Sequence, residues 1–227
     1  MHRNSSRWIE EYRGLGALWI HDGNPKRPHA LLTSGRHSSG YFNSSLVTEN
    51  PYLIEDAVID LMEAVGNEID LVSNAYVVGP ALGAVVMSHC IAHYIQSQVT
   101  IEGRNSQCRS SFTEKIESAD GPRMVLRRSS LKPGDRVLVV EDVFTTGGSV
   151  DRTIDAVTEA GGIAASVVAV LVNRSGLGTV RGGRKIVSLI DEPMPLWLPA
   201  ECPLCKQGSE ALLPKDTDHW ARLNAAY

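Results

Sequence analysis

The chain has 227 residues and a mass of 24.6 kDa, with 43% hydrophobic residues, 21% charged residues and a formal net charge of −4. A chain of this size and composition builds a core of its own, which excludes intrinsic disorder and a need for disulfide staples. The negative balance excludes a global attraction to nucleic acid or acidic membranes, so any anion site must be local.

The first residues carry charges where a secretory signal needs an apolar run, and four cysteines in so long a chain are expected as reduced thiols in the cytoplasm. Ser5 or Ser6 is expected to cap a first helix with Trp8, Ile9 and Tyr12 as its apolar stripe. Residues 21–45 read as irregular, with turn chemistry around Gly23, Asn24, Pro25 and Pro28. A second helix is strongly signalled: Asn50 caps it, Pro51 opens it, and Leu53, Ile54, Ala57, Val58, Leu61, Met62 and Val65 recur at helical spacing up to Gly66.

From Leu71 to Ile101 there is no Lys, Arg, Asp or Glu. Asn74, Gly79, Pro80, His89, His93 and Gln96 interrupt the run, so a buried strand (Ala75–Val78), a Gly-Pro loop and a helix (Leu82–Ile95) are expected rather than a membrane span. Residues 108–128 contain a polar stretch, Thr113 to Arg123, that reads as a mobile loop between two strand edges. A strand at Arg136–Val140, a helix at Val150–Ala160 ending on Gly161, and buried strands at Ala164–Val172 and Ile186–Ile190 complete the alternation. The expected fold is α/β, with a mainly parallel sheet flanked by helices. The Pro- and Trp-bearing tail breaks the pattern. The chain therefore reads as one domain, residues 46–191 forming the core and residues 1–45 and 192–227 a small hood.

The segment from Val137 to Ser149 carries the chemistry. An apolar strand runs into Glu141 and Asp142, then into Thr145, Thr146, Gly147, Gly148 and Ser149 at the start of a helix. Backbone N–H groups at a helix N-terminus, with three hydroxyls beside them, form a phosphate cradle. Two acids next to such a cradle suit the hydroxyls of a polyol such as ribose. They stand at the carboxyl end of a strand, where open α/β sheets bind ligands.

This segment resembles the phosphoribosyl pyrophosphate (PRPP) signature of the type I phosphoribosyltransferases. Three further segments resemble the orotate-specific members: Leu32 to Ser38 followed by Tyr41, Phe42 and Asn43; Thr113, Glu114 and Lys115 with Gly121; and Asn173, Arg174, Ser175 and Gly176. Gly79, Pro80, Ala81, Leu82 and Gly83 match the family's pyrophosphate loop. The resemblance implies Mg²⁺-dependent transfer of phosphoribose from PRPP to orotate, giving orotidine 5′-monophosphate and pyrophosphate for UMP synthesis. It implies that Glu141 and Asp142 hold the ribose hydroxyls and that residues 145–149 bind the 5′-phosphate. Ala81, Leu82 and Gly83 would meet pyrophosphate, with Lys115 closing over it. Arg174, Ser34, Gly35, Arg36, Tyr41 and Phe42 would hold orotate. It also implies a cytoplasmic homodimer with shared active sites, without nucleic acid or membrane partners, and Mg²⁺ held mainly by PRPP and water rather than directly by protein. The alternatives are transfer to another base, or a non-catalytic PRPP-binding regulator.

Residues 104–136 hold eight Lys/Arg against four Asp/Glu, a local +4 that suits anionic substrates. Cys202 and Cys205 have the spacing of half a zinc site or a redox pair. Neither Cys90, Cys108 nor His219 completes a set by spacing, so a plain structural turn is expected there.

Overall fold

The computed structural model describes residues 4–66, 75–102, 107–119 and 121–227. Leu71–Asn74, Arg104 and Asp120, used in the sequence reading, lie outside them. The chain divides into two compact units, one of Met1–Trp8 and Ser44–Glu192, the other of Ile9–Asn43 and Pro193–Tyr227.

Helix α1 (Ser5–Gly14) comes first. Its cap is Asn4 rather than Ser5 or Ser6: the Asn4 Oδ1 accepts from the Arg7 N–H at 3.1 Å. Four short strands follow: β1 (Leu18–Ile20), β2 (His29–Leu31), β3 (His37–Ser38) and β4 (Gly40–Phe42). The expectation of an irregular stretch over residues 21–45 is thus corrected. These strands have two or three residues each, too few to show a period in the sequence.

The larger unit contains α2 (Ser45–Thr48), α3 (Pro51–Val65), β5 (Ala75–Pro80), α4 (Val85–Ile101), β6 (Cys108–Ser118), β7 (Gly121–Val125), β8 (Arg136–Phe144), α5 (Gly148–Glu159), β9 (Ile163–Asn173) and β10 (Lys185–Asp191). Asn50 caps α3 by accepting from the Tyr52 and Leu53 N–H groups, and Gly66 ends it at φ 53°. The six strands run in the order β10-β9-β8-β5-β6-β7, and all but β7 are parallel. Alternation along β8 sends Val137 and Val139 into a core with Val150, Ile154 and Val157 of α5. Helix α4 packs against β5 and β6, and α3 against β9 and β10.

Two boundaries matter for the site. Strand β8 runs to Phe144, because its pairing with β9 continues through Glu141↔Val170 and Val143↔Val172. The two acids are therefore on the strand, not in the turn after it. The segment expected as a mobile loop is instead the hairpin β6–β7, in register from Glu114↔Val125 to Ser118↔Gly121. Only one of its faces is half-buried, so its residues are polar and the strand signal is weak.

The smaller unit is completed by α6 (Pro203–Lys206), β11 (Ala211–Leu212) and α7 (Thr217–Leu223). Strand β11 pairs in parallel with β2, and β2 antiparallel with β3. Its core gathers Trp19, Ala30, Leu32, Leu212 and Leu223. The Trp19 indole N–H donates to the Leu223 carbonyl at 2.8 Å. Among the described residues no helix is long and apolar enough to cross a membrane.

Candidate active site

In a parallel sheet all strand carboxyl ends share one edge. Here that edge carries Pro80, Phe144, Asn173 and Asp191 at the ends of β5, β8, β9 and β10. Glu141 is buried, and its Oε1 accepts from the Asp142 N–H at 3.3 Å. Gly147 stands at φ 80° as the cap of α5. A Cβ there would come 2.9 Å from the Phe144 ring, so both conformation and space require glycine. The bond from the Asp151 N–H to the Gly147 carbonyl, 2.8 Å, starts the helical ladder. The N–H groups of Gly148, Ser149 and Val150 precede it and lie at the positive end of a 12-residue helix. Thr145 and Ser149 are half-buried and Thr146 is exposed.

The loop after β5 meets the acids directly. A Cβ on Gly83 would lie 2.6 Å from Asp142 Oδ2, and one on Gly79 would lie 2.5 Å from the Ala84 Cβ. The Ala81–Leu82 peptide is cis, and Leu82 is 87% exposed. The Ala81 N–H donates to the Thr113 carbonyl at 2.7 Å. The Thr113 hydroxyl in turn lies 2.9 Å from that of Thr153 on α5. Thr113 thus joins the loop, β6 and the cradle helix. Two residues further along β6, the Lys115 Nζ pairs with Glu117 at 2.9 Å on the exposed face of the hairpin.

Arg174 follows β9, and its N–H donates to the Phe144 carbonyl at 3.0 Å. Its side chain is 1% exposed, so the protein covers the guanidinium that the sequence assigned to a ligand. An acidic pair, buried at Glu141 and half-buried at Asp142, a glycine-lined loop and a helix N-terminus therefore share one sheet edge. Together they can hold a polyol between two anionic groups.

A family model described as the phosphoribosyl transferase domain matches residues 48–198. The chain belongs to the type I phosphoribosyltransferase family. It is 38% identical over 193 residues to an orotate phosphoribosyltransferase of Thermotoga maritima, covering 82% of this chain and 89% of that one. It is 37% identical over 212 residues to that of Caldicellulosiruptor bescii, covering 93% and 97%. The structure of orotate phosphoribosyltransferase from Aeropyrum pernix has the same fold, with a TM-score of 0.59 at 24% identity, covering 80% of this chain and 92% of that one.

The remaining predicted residues of this phosphoribosyltransferase lie in its smaller unit. Ser34 and Gly35 form the exposed turn between β2 and β3, with Gly35 at φ 76° and its N–H bonded to the Leu32 carbonyl at 2.9 Å. Arg36 is half-buried beside them. Tyr41 packs edge-on against Trp220 and Phe42 against Tyr12. At 1% exposure the Phe42 ring fills the unit's core rather than facing a ligand.

Sequence reasoning missed His29 and His37, which the fold brings beside Cys202 and Cys205. Burial, then the neighbouring His37, pushes the His29 imidazole down to about 4. The signal was a histidine pair flanking the Ser34–Gly35 turn, in a chain that also has a C-x-x-C. The two pairs are far apart in sequence, so no local pattern joins them.

Proposed function

We propose that this phosphoribosyltransferase transfers the 5-phosphoribosyl group of PRPP to orotate, giving orotidine 5′-monophosphate and pyrophosphate. The observation that carries the reading is the pair Glu141 and Asp142 at the end of β8, directly before the cradle of α5. The relatives named orotate phosphoribosyltransferase support orotate as the acceptor.

In this reading the two carboxylates accept hydrogen bonds from the ribose hydroxyls. The N–H groups at the start of α5, with the hydroxyls of Thr145, Thr146 and Ser149, bind the 5′-phosphate. The backbone of Ala81, Leu82 and Gly83 lies against pyrophosphate, which small residues allow it to approach. Lys115 balances the negative charge that grows on the leaving group. Ser34, Gly35, Arg36 and Tyr41 hold orotate, and Arg174 forks onto its carboxylate when a movement at the end of β9 uncovers the guanidinium that is 1% exposed here. No covalent nucleophile is required: positioning and electrostatics lower the barrier as charge separates between ribose and pyrophosphate.

The carboxylates of Glu141 and Asp142 on the ligand edge are hard oxygen groups, which fit Mg²⁺ at a site where the substrate's own phosphates and water supply most ligands. When bound, Mg²⁺ neutralises charge on the pyrophosphate oxygens. A homodimer with shared sites and a cytoplasmic location complete the proposal, the latter supported by free thiols at Cys90, Cys108, Cys202 and Cys205.

The test is turnover of PRPP with orotate, uracil, hypoxanthine, adenine and xanthine in parallel. Pyrophosphate release with orotate alone is expected. Release with a different base reassigns the acceptor, and release with none makes the protein a PRPP-binding regulator.

A further inference from the structure

The smaller unit holds a cluster that the transfer reaction does not use. His29 lies on β2, His37 on β3, Cys202 at the cap of α6 and Cys205 within it. One ligand atom from each lies within 4.8 Å of all the others. Among the described residues this is the only such gathering of three or more His, Cys, Asp or Glu. We propose that His29, His37, Cys202 and Cys205 form a structural Zn²⁺ site joining the N-terminal hairpin to the C-terminal segment.

The distances are those of a tetrahedron's edges. His29 Nε2 is 3.0 Å from His37 Nδ1. Cys202 Sγ and Cys205 Sγ are each 3.5 Å from His29 Nε2, and Cys205 Sγ is 3.3 Å from His37 Nδ1. A tetrahedral ion with Zn–N of about 2.0 Å and Zn–S of about 2.3 Å requires N···N edges of about 3.3 Å and N···S edges of about 3.5 Å. These four edges match those of one tetrahedral ion, and the two remaining edges, both to Cys202, lie within 4.8 Å.

The surroundings orient the ligands. The Ser209 hydroxyl donates its single proton to the Arg27 carbonyl at 2.6 Å. Its 2.8 Å contact with His29 Nδ1 is therefore received from the ring, which places the His29 proton on Nδ1. The lone pair on Nε2 then points at the cluster centre, held there by an outer partner as in established metal sites. A bond from the Lys206 N–H to the Cys202 carbonyl at 3.3 Å spans the Cys-Pro-Leu-Cys turn, and one from the Gly208 N–H to the Cys205 carbonyl at 3.0 Å follows it.

The chemistry selects the ion. Two thiols and two imidazoles without a carboxylate favour zinc over magnesium or calcium. Binding Zn²⁺ releases the two thiol protons to solvent, and two thiolates with two neutral imidazoles then balance the dication. A neutral complex suits a place where His29 and Cys202 are 0% exposed and His37 is 6% exposed. Four protein ligands leave no open position, so the site is structural rather than catalytic.

The test is metal analysis of the full chain purified under reducing conditions without chelator. The expected result is about one zinc per chain. After exchange, Co²⁺ should give tetrahedral d–d absorption and a thiolate charge-transfer band. Cys202→Ser with Cys205→Ser should lose the zinc and the band, and His29→Gln should weaken retention at least tenfold against a competing chelator. Cys90→Ser with Cys108→Ser should retain both. If the double variant at 202 and 205 does not fold, the Co²⁺ spectrum of the unaltered chain decides alone. A chain that takes up neither metal, a Cys202–Cys205 disulfide in its place, or zinc unchanged in the folded double variant would overturn the proposal.

Discussion

The backbone of Gly83 lies so close to the carboxylate of Asp142 that a Cβ on the glycine would stand 2.6 Å from Oδ2 and 2.7 Å from Oδ1. The loop after β5 and the end of β8 thus form one wall, and the acid cannot keep its position beside a larger residue. Gly83→Ala is expected to fold, because the loop is exposed. It should lower kcat by roughly 10²-fold, the scale of an ångström-level displacement of a reacting group. Steady-state kinetics beside a thermal melt check this, and unchanged kcat in a folded variant contradicts the shared wall.

Asp142→Asn keeps the shape of the side chain and removes its charge. The neutral amide remains beside Gly83, so the melting temperature should change little. Turnover should fall by roughly 10²-fold or more, since a carboxylate accepts more strongly than an amide as positive charge grows on ribose. Near-normal turnover would remove Asp142 from the ribose site.

Arg174 joins two features: an arginine at the ligand edge and a side chain that is 1% exposed. Arg174→Gln is expected to raise the KM for orotate at least tenfold more than that for PRPP, because only orotate carries the carboxylate the guanidinium can fork onto. Equal changes for both substrates, with a lower melting temperature, would assign the arginine to packing at the end of β9.

Helix α3 was legible because its buried residues Ile54, Ala57, Val58, Leu61, Met62 and Val65 share one stripe between an Asn cap and a Gly stop. The run from Val137 to Ser149 was legible because strand, acids and helix start are contiguous. What the sequence hid depends on distant partners. Pairing with β9 carries β8 past both acids to Phe144. Pairing with β7 makes a strand of polar residues around Lys115. Cys202 meets a histidine 173 positions away, and no spacing rule reaches so far.

Lys115 offers the last test, and it concerns assembly. Its Nζ pairs with Glu117 at 2.9 Å, and the two side chains are 54% and 73% exposed. Such an exposed pair contributes at most about 1 kcal/mol, so Lys115→Ala should fold and bind PRPP. It should lose most turnover, roughly 10²-fold, because the leaving pyrophosphate no longer meets a cation. In a homodimer with shared sites, the hairpin bearing Lys115 serves the acids of the other subunit. Mixing Lys115→Ala with Asp142→Asn subunits then builds one site with both defects and one with neither. Verified heterodimers should regain up to half of the unaltered dimer's activity. Heterodimers no more active than their parents would mean that each hairpin serves its own subunit.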